Sequence, residues 1–571
     1  MDQQNMTSVP LMPKEEEKVV VLTPSHGGVG KILVREDTVL ANLQGCAGCG
    51  RAQFNCGGVQ KQWSALCWGK NSGRSNYCLI TLLSTIFTLS CVGTILLCCT
   101  NVIHDVVVSN MVLKNGSMAF KMWQRPAVLP LMKVHVFNYS NWDRVRQGLD
   151  TKLEVHDVGP YVYEQQVERV NIAFQNDSLT FQERNRFTFL PERSTGAILD
   201  KVSVPNLPYL GVVSLAIDNL NVFTKSMLNA GLQMSNHPNA FIHLPVHRFL
   251  WGYEDSVISA ARPLLSILGQ LPFEQFGLLV TKNGTVPERL TINTGEYDVD
   301  KMNIIEKLDG KPSLSYWSNR ECNSIEGSDG SMFPPSLLDR RRQLNVFFPK
   351  LCRRVPFQYE KDVESEDGIQ LLRYRMPADV FDSPQTNRNN QCFCNIDTGV
   401  CPPKGVINVT ACSMGVPALV SFPHFYLGDP ALRDEFTGLQ PDPAKHDSFL
   451  DIHPKLGISL SGKSSLQLNI QVRKDDTGMF TAVKWLKKDL ILPVAWLEMS
   501  VEELPESVRS LVYHGTYSTA AVQLGLTATC IVTLILSTLG LIVLYARSKK
   551  PKPCATIKKL PIETELKVQN S

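Results

Sequence analysis

Eight residues, Gly457-Ile458-Ser459-Leu460-Ser461-Gly462-Lys463-Ser464, match the phosphate-binding loop pattern letter for letter. That chemistry needs a strand before the loop and a helix opening at the Lys-Ser, so that free backbone N–H groups converge on the anion. Here Lys463-Ser464 runs into Leu466-Gln467-Leu468-Asn469-Ile470-Gln471-Val472, whose alternation predicts a strand. No nucleotide site and no cofactor is assigned. His237, His243 and His247 lie close in sequence; imidazole titrates between pH 5 and 8, which suits a pH-gated binding surface, although histidines without such a role are the commoner outcome. Cys46-x-x-Cys49 with Cys56 and Cys67 resembles part of a zinc site. The spacings are irregular and no histidine follows at ligand spacing, so free thiols are expected and no metal is assigned. Arg340-Arg341-Arg342 offers a polyanion patch or a processing site, but such a run is more commonly a solvated face. No nucleophile elbow or His-Glu-x-x-His pattern is present, and the reading is not an enzyme.

The element that must organise these residues is a membrane. With a formal net charge of +3 and 19% charged residues, the chain lacks the basic excess of a nucleic-acid binder. Two uncharged stretches, Leu79 to Ile103 and Ala521 to Tyr545, each exceed the roughly 20 residues that cross about 30 Å of hydrocarbon as a helix. Tyr77 and Tyr545 sit at their edges, where amphipathic rings prefer to lie. The first stretch lies too far along the chain for a cleavable signal and reads as an uncleaved signal anchor. Lys61, Lys70 and Arg74 precede it, while Arg547, Lys549, Lys550 and Lys552 follow the second stretch. Positive flanks of this kind place both termini in the cytosol. The expected organisation is a disordered cytosolic tail (1–78), a transmembrane helix (79–103), an extracellular or lumenal domain (104–518), a second transmembrane helix (519–545) and a basic cytosolic tail (546–571). Cys67, Cys78 and Cys554 then fall near the inner leaflet and are candidates for S-palmitoylation.

Two further patterns agree with this layout. Glycosylation acceptors occur at Asn115, Asn138, Asn176, Asn283 and Asn408, all within the outer segment. Asn5 also matches, and in a cytosolic tail it should be silent. Six of the 16 cysteines, Cys322, Cys352, Cys392, Cys394, Cys401 and Cys412, also lie there. An even number in an oxidising compartment reads as a disulfide framework; six cysteines allow 15 pairings, among which sequence alone does not choose. In an extended Cys392-Phe393-Cys394 the two thiols share a face of a taut backbone, so they are expected to pair elsewhere.

No linker or repeat divides the outer segment, which reads as one domain. Lys133-Val134-His135-Val136-Phe137 and Leu466 to Val472 alternate as half-buried strands. Turn punctuation is frequent, as at Gly159-Pro160, Asp309-Gly310 and Asp329-Gly330. A more helical stretch runs from about Val212 to Leu268. The expected class is α+β, with an antiparallel β-rich core and helices gathered in one region.

These residues resemble the class B scavenger receptor family along nearly the whole outer segment. The shared motifs are Gly159-Pro160-Tyr161-Val162-Tyr163, Leu250-Trp251-Gly252-Tyr253, Ser315-Tyr316-Trp317, Gly327-Ser328-Asp329-Gly330 leading to Phe333-Pro334-Pro335, Cys392 to Cys412, Pro423-His424-Phe425 and Leu466-Gln467-Leu468-Asn469-Ile470. The resemblance implies the pairing Cys322–Cys392, Cys352–Cys412 and Cys394–Cys401. It also implies an antiparallel β-barrel-like core pierced by an apolar lipid tunnel, with a helical bundle at the membrane-distal apex. In function it implies a receptor for lipids or lipoprotein-like and apoptotic particles that passes hydrophobic cargo to or from the membrane. Two other readings fit the same family: a trafficking receptor for a protein ligand at the apical helices, and a sensory co-receptor for lipid signals. The expected location is the plasma membrane with cycling to endosomes or lysosomes; neither tail carries a clear dileucine signal. One departure stands out. Where several members carry apical lysines, this chain has Met234-Ser235-Asn236-His237, leaving Lys225 and His237 as the apical candidates for ligand contact.

Overall fold

The computed structural model describes residues 72–234, 239–259, 275–338, 342–395, 399–413 and 415–549. The helix Ser72–Cys99 breaks at Thr100-Asn101 and a second helix, Val102–Ser109, begins. The first apolar helix therefore stops short of Ile103, because the Asn101 side chain suits a helix boundary better than an interior. At the other end, Glu506–Tyr513, a wider turn at His514–Ser518 and Thr519–Ser548 run on as one helical segment. Two stretches, Asn76–Cys99 and Glu506–Ser548, are long and apolar enough to cross a membrane. Hydroxyls within them bond back to their own helix, as Thr94 Oγ1 does to the Ser90 carbonyl, so no polar group need face hydrocarbon alone. Ser90 and Thr533 also hydrogen-bond to one another at 2.8 Å. By themselves, residues 72–84 and 541–549 are helical except at the last position.

Between the helices the chain builds one large antiparallel sheet. Its strands run in the order Ile305–Leu308, Leu290–Asn293, Ser178–Phe189, Leu153–Gln175, Leu131–Tyr139, Leu490–Val501, Ser459–Val472, Phe449–Ile452, Gln370–Arg375, Arg353–Glu364 and Leu344–Phe348. The segment Gly327-Ser328 joins the two ends. Ile305 N–H donates to the Gly327 carbonyl at 2.9 Å, and Ser328 exchanges bonds with Asn345 and Phe347 at 3.0 and 2.9 Å. Gly327 has to be glycine, because a Cβ there would stand 2.8 Å from the Asn345 carbonyl oxygen. A nearly closed sheet removes the exposed strand edges that would otherwise invite pairing with other chains.

Both alternating segments read from sequence are strands. Leu466 to Val472 is the end of Ser459–Val472, which also holds Lys463-Ser464 of the phosphate-loop match. No helix opens there. Gly457 instead sits at φ +69°, where an added Cβ would collide with the Phe333 carbonyl oxygen at 1.8 Å. Among its described residues, the stretch read as helical from Val212 is helix interrupted by one strand, with helix again at 256–259; 235–238 and 260–268 lie outside the described residues. After Leu207–Asn219 and Val222–Gln233 comes a strand, Phe241–Pro245, paired with Lys201–Pro205, and then a short helix, Val246–Trp251. Pro245 closes the strand, and Phe241, Ile242 and Leu244 favour it over helix.

The packing is dominated by aromatic residues. Phe137, Tyr139, Tyr161, Tyr209 and Phe249 lie in one buried cluster with Val134, Val494 and Trp496. Each such side chain contributes roughly 1.5–3 kcal/mol by leaving water. Three bridges, Cys322–Cys392, Cys352–Cys412 and Cys394–Cys401, have Cα separations of 6.4, 6.0 and 4.3 Å. The first two close long loops, of the kind that removes roughly 4 kcal/mol of chain entropy from the unfolded state. Gly457→Val should destabilise the protein by about 3 kcal/mol or more, through strain at positive φ and the clash with Phe333. Thermal unfolding of the purified variant checks this; an unchanged midpoint would contradict the close approach.

Candidate functional site

The strand Ser178–Phe189 sends its odd-numbered side chains inward. Phe181, Glu183, Asn185 and Phe187 line a cavity of about 270 Å³ together with Met132, Met499 and Lys282. Phe187 also lines a second cavity of about 330 Å³, whose walls are Tyr163, Phe189, Ile198, Trp251 and Val280, with His247 and Asn283. Even-numbered Arg184, Arg186 and Thr188 are exposed on the other face. The period of two thus turns Phe181, Glu183, Asn185 and Phe187 to one face and Arg184, Arg186 and Thr188 to the other. Trp251 packs edge-on to Tyr163 at 5.2 Å and tilted to Phe187 at 5.3 Å, which fixes the aromatic wall of the second cavity. Four ionisable groups line the first cavity, Glu183, Lys282, Glu288 and Lys350, and burial biases Glu183 and Lys282 toward their neutral forms. The Glu183 carboxyl is raised by burial against the opposing pull of Arg169, and the Lys282 ammonium is lowered by burial and by Lys350. The lining of the second cavity is largely apolar and suits apolar matter, whereas the first mixes apolar side chains with charged and amide groups.

A polar hub stands where Pro423-His424-Phe425 meets the sheet. Asp157 receives hydrogen bonds from His135 at 3.0 Å, from His424 at 2.9 Å and from the Trp496 indole at 3.0 Å. The Gln440 N–H donates to His424 Nδ1, which places that ring's proton on Nε2, facing Asp157. His446 stacks on His424 at 4.6 Å, and its own Nδ1 accepts the Asp442 N–H. Burial pushes the Asp157 carboxyl up, but these hydrogen bonds outweigh it and hold the group well below the usual carboxylate range. His446 is pushed down to about 4 by burial and then by His424. His453, whose Nδ1 accepts backbone N–H groups and whose Nε2 meets Thr516 at 3.0 Å, is likewise pushed down by burial to about 4.

The residues singled out from sequence are dispersed. Lys225 is half-buried and donates to the Ile217 carbonyl at 2.9 Å, so its ammonium closes the end of the preceding helix. His237, Cys67, Cys554, Arg340 and Arg341 and the Cys46 to Cys56 group lie outside the described residues. Cys78 is half-buried on the first helix. His243 meets Ser203 at 3.2 Å. Of the glycosylation acceptors, Asn115, Asn176 and Asn283 are exposed. Asn138 and Asn408 are half-buried, with amide oxygens bonded to the N–H groups of Ser203 and Thr410. The Asp157 hub escaped the sequence reading because its members come from distant segments; the inward phenylalanines carried a signal, their shared spacing at 181, 187 and 189.

A nearly closed antiparallel sheet, in a chain with a membrane-length helix toward each end, defines the architecture of an integral membrane protein. The family model described as CD36 family matches residues 82–545. The chain is 32% identical over 403 residues to mouse (Mus musculus) Lysosome membrane protein 2, covering 70% of this chain and 80% of that one. It is 31% identical over 406 residues to mouse Scavenger receptor class B member 1, covering 70% and 76%. Human (Homo sapiens) Lysosome membrane protein 2 is 32% identical over 398 residues, covering 68% and 78%. This chain belongs to the CD36 family.

His446 and His453 contribute to the response to acid. Their folded pKa values lie below 6.5, so between pH 6.5 and about 4 the unfolded chain binds more protons and stability falls as pH falls. The Asp157 contribution is complete above the ordinary carboxylate value and is lost only in stronger acid. Unfolding followed from pH 7.5 to 4 should show a loss on the order of 3 kcal/mol, with a shallower slope in His446→Gln and His453→Gln. A profile that is flat, or equally steep in both variants, would contradict the assignment.

Proposed function

We propose that this protein is a class B scavenger-type receptor whose interior shelters lipid and passes it to or from the bilayer. The observation that carries this reading is the pair of cavities sharing Phe187 inside a sheet whose chain has a membrane-length helix toward each end. Exposing each CH₂ to water costs about 0.8 kcal/mol, so a 16-carbon chain needs roughly 12 kcal/mol of shelter on its way. Cavities walled by Phe181, Phe187, Tyr163 and Trp251 would reduce that cost without any covalent chemistry. In the proposed arrangement residues 104–518 face the outside or a lumen and both termini face the cytosol. Glycans stand on the outer domain, with Asn283 at the rim of the larger cavity, and acyl chains on Cys67, Cys78 and Cys554 anchor the inner side. The protein resides at the plasma membrane and cycles to endosomes or lysosomes.

A second reading, docking of a protein ligand or a particle, has its own support. Phe223 and Met227 lie one helical turn apart on Val222–Gln233 and are 72% and 62% exposed, beside Val222 and Met234. Large apolar side chains grouped in this way on a helix mark an interaction surface. The two readings are compatible, since docking of a particle and transfer of its lipid are successive acts.

They separate by mutation. Phe187→Asp places a charge where both cavities meet and should lower transfer of a fluorescent fatty acid or sterol between vesicles and the reconstituted protein by about tenfold. Transfer at the wild-type rate would remove the interior route. Phe223→Asp with Met227→Asp should abolish binding of lipoprotein-like particles while leaving transfer of monomeric lipid unchanged; intact particle binding would dismiss the helix as the docking face.

A further inference from the structure

A cavity of about 500 Å³ opens beside the Cys322–Cys392 bridge and shares no lining residue with the two interior cavities. Three arginines, Arg353, Arg354 and Arg388, line it against one carboxylate, that of Glu321. Glu321 is bound to Arg354 at 2.5 Å. The other two guanidinium groups have no acidic partner among the described residues. Arg388 is exposed at the rim. Arg353 is only 4% exposed.

The surroundings of Arg353 are well defined. Its Nη2 donates to Asn390 Oδ1 at 3.0 Å, and its Cζ lies 3.8 Å from the centre of the Phe393 ring. Its Nε has no hydrogen-bond partner. Asn390 is itself held, donating to the carbonyls of Val380 and Asp382 at 3.2 and 2.7 Å, which turns its oxygen toward the arginine. The carboxylate of Asp382, beside the small adjoining cavity, is bonded to Lys404 at 3.3 Å. Burial lowers the Arg353 pKa to about 9, which leaves it charged at neutral pH. A buried charge is costly unless an opposite charge meets it, and an aromatic face supplies only part of that need.

We propose that this cavity binds a sulfate or phosphate monoester, its oxyanion held between Arg353 and Arg388. A planar carboxylate would be satisfied by one guanidinium fork. Asn319 and Asn389 also line the wall, and their amide N–H groups added to the guanidiniums suit an ion with several acceptor oxygens. The space far exceeds the roughly 30 Å³ share of a water molecule, which leaves room for the alcohol carrying the ester, a sugar or a glycerol. This site stands independently of the lipid route.

The test is calorimetric titration of the full chain in phosphatidylcholine nanodiscs with glucose 6-sulfate, glycerol 3-phosphate and inorganic sulfate. One ester should bind one-to-one with a Kd near or below about 1 mM, and the tighter of the two distinguishes a sulfated sugar from a lipid headgroup as the source. Arg388→Ala, at the exposed rim, should weaken binding about tenfold with an unchanged unfolding midpoint; Arg353→Lys, which keeps the charge and loses the fork, should do the same. Silence from both esters at about 20 mM, binding of inorganic sulfate alone, or affinity indifferent to both variants would each overturn the proposal.

Discussion

Gly327 and Ser328 carry the hydrogen bonds that join the two ends of the sheet, and the container depends on that seam being shut. Asp329, the next residue, is bonded to Arg169 at 3.2 Å and to Asn303 at 2.9 Å. Arg169 lies over the Trp123 ring, 4.6 Å from its centre, and is 5% exposed. Removing one partner of so buried a pair typically costs 3–5 kcal/mol, so the charges hold the seam in one register. The Gly327-Ser328-Asp329-Gly330 motif is therefore a fastening device. With the seam closed, Ile305–Leu308 and Leu344–Phe348 are both partnered; with it open, they would become exposed sheet edges.

The Asp157 hub fastens the structure a second time, at a different place. It ties Leu131–Tyr139, Leu153–Gln175 and Leu490–Val501 to the turn at His424, whose φ of +54° is followed by +55° at Phe425. Those backbone conformations are costly for residues with a Cβ and persist only where the surroundings hold them. The hydrogen bonds that His424 Nε2 donates to Asp157 and that the Gln440 N–H donates to His424 Nδ1 supply that hold. A side chain chosen for its bonds, in a backbone few residues tolerate, explains why proline, histidine and phenylalanine occur there together.

The two membrane-length helices, the strands at Lys133 to Phe137 and Leu466 to Val472, and the mixed helix and strand character were legible in the chain. Long apolar runs and strict alternation are local signals, and nothing in the tertiary structure competes with them. Phe241 to Pro245 was not read as a strand, because it is short and flanked by helical segments, although its β-favouring Phe241 and Ile242 and the pairing with Lys201–Pro205 agree on that conformation. Lys225 had the composition of a ligand-capturing residue, yet the nearby Ile217 carbonyl claims its ammonium. The phosphate-loop match failed for a reason visible in advance, the alternation after Ser464, while the role of Gly457 required Phe333, far away in sequence, to be in view. The interior cavities needed the whole sheet, since they exist only between strands.

The central claim is that the interior of this domain holds lipid. Native mass spectrometry of the full chain released from membranes, with lipid extraction from the same sample, tests it most directly. The account predicts a folded, glycosylated protein carrying fatty acid, sterol or phospholipid in near-stoichiometric amount. A folded protein that emerges empty, and stays empty when offered those lipids, would contradict it.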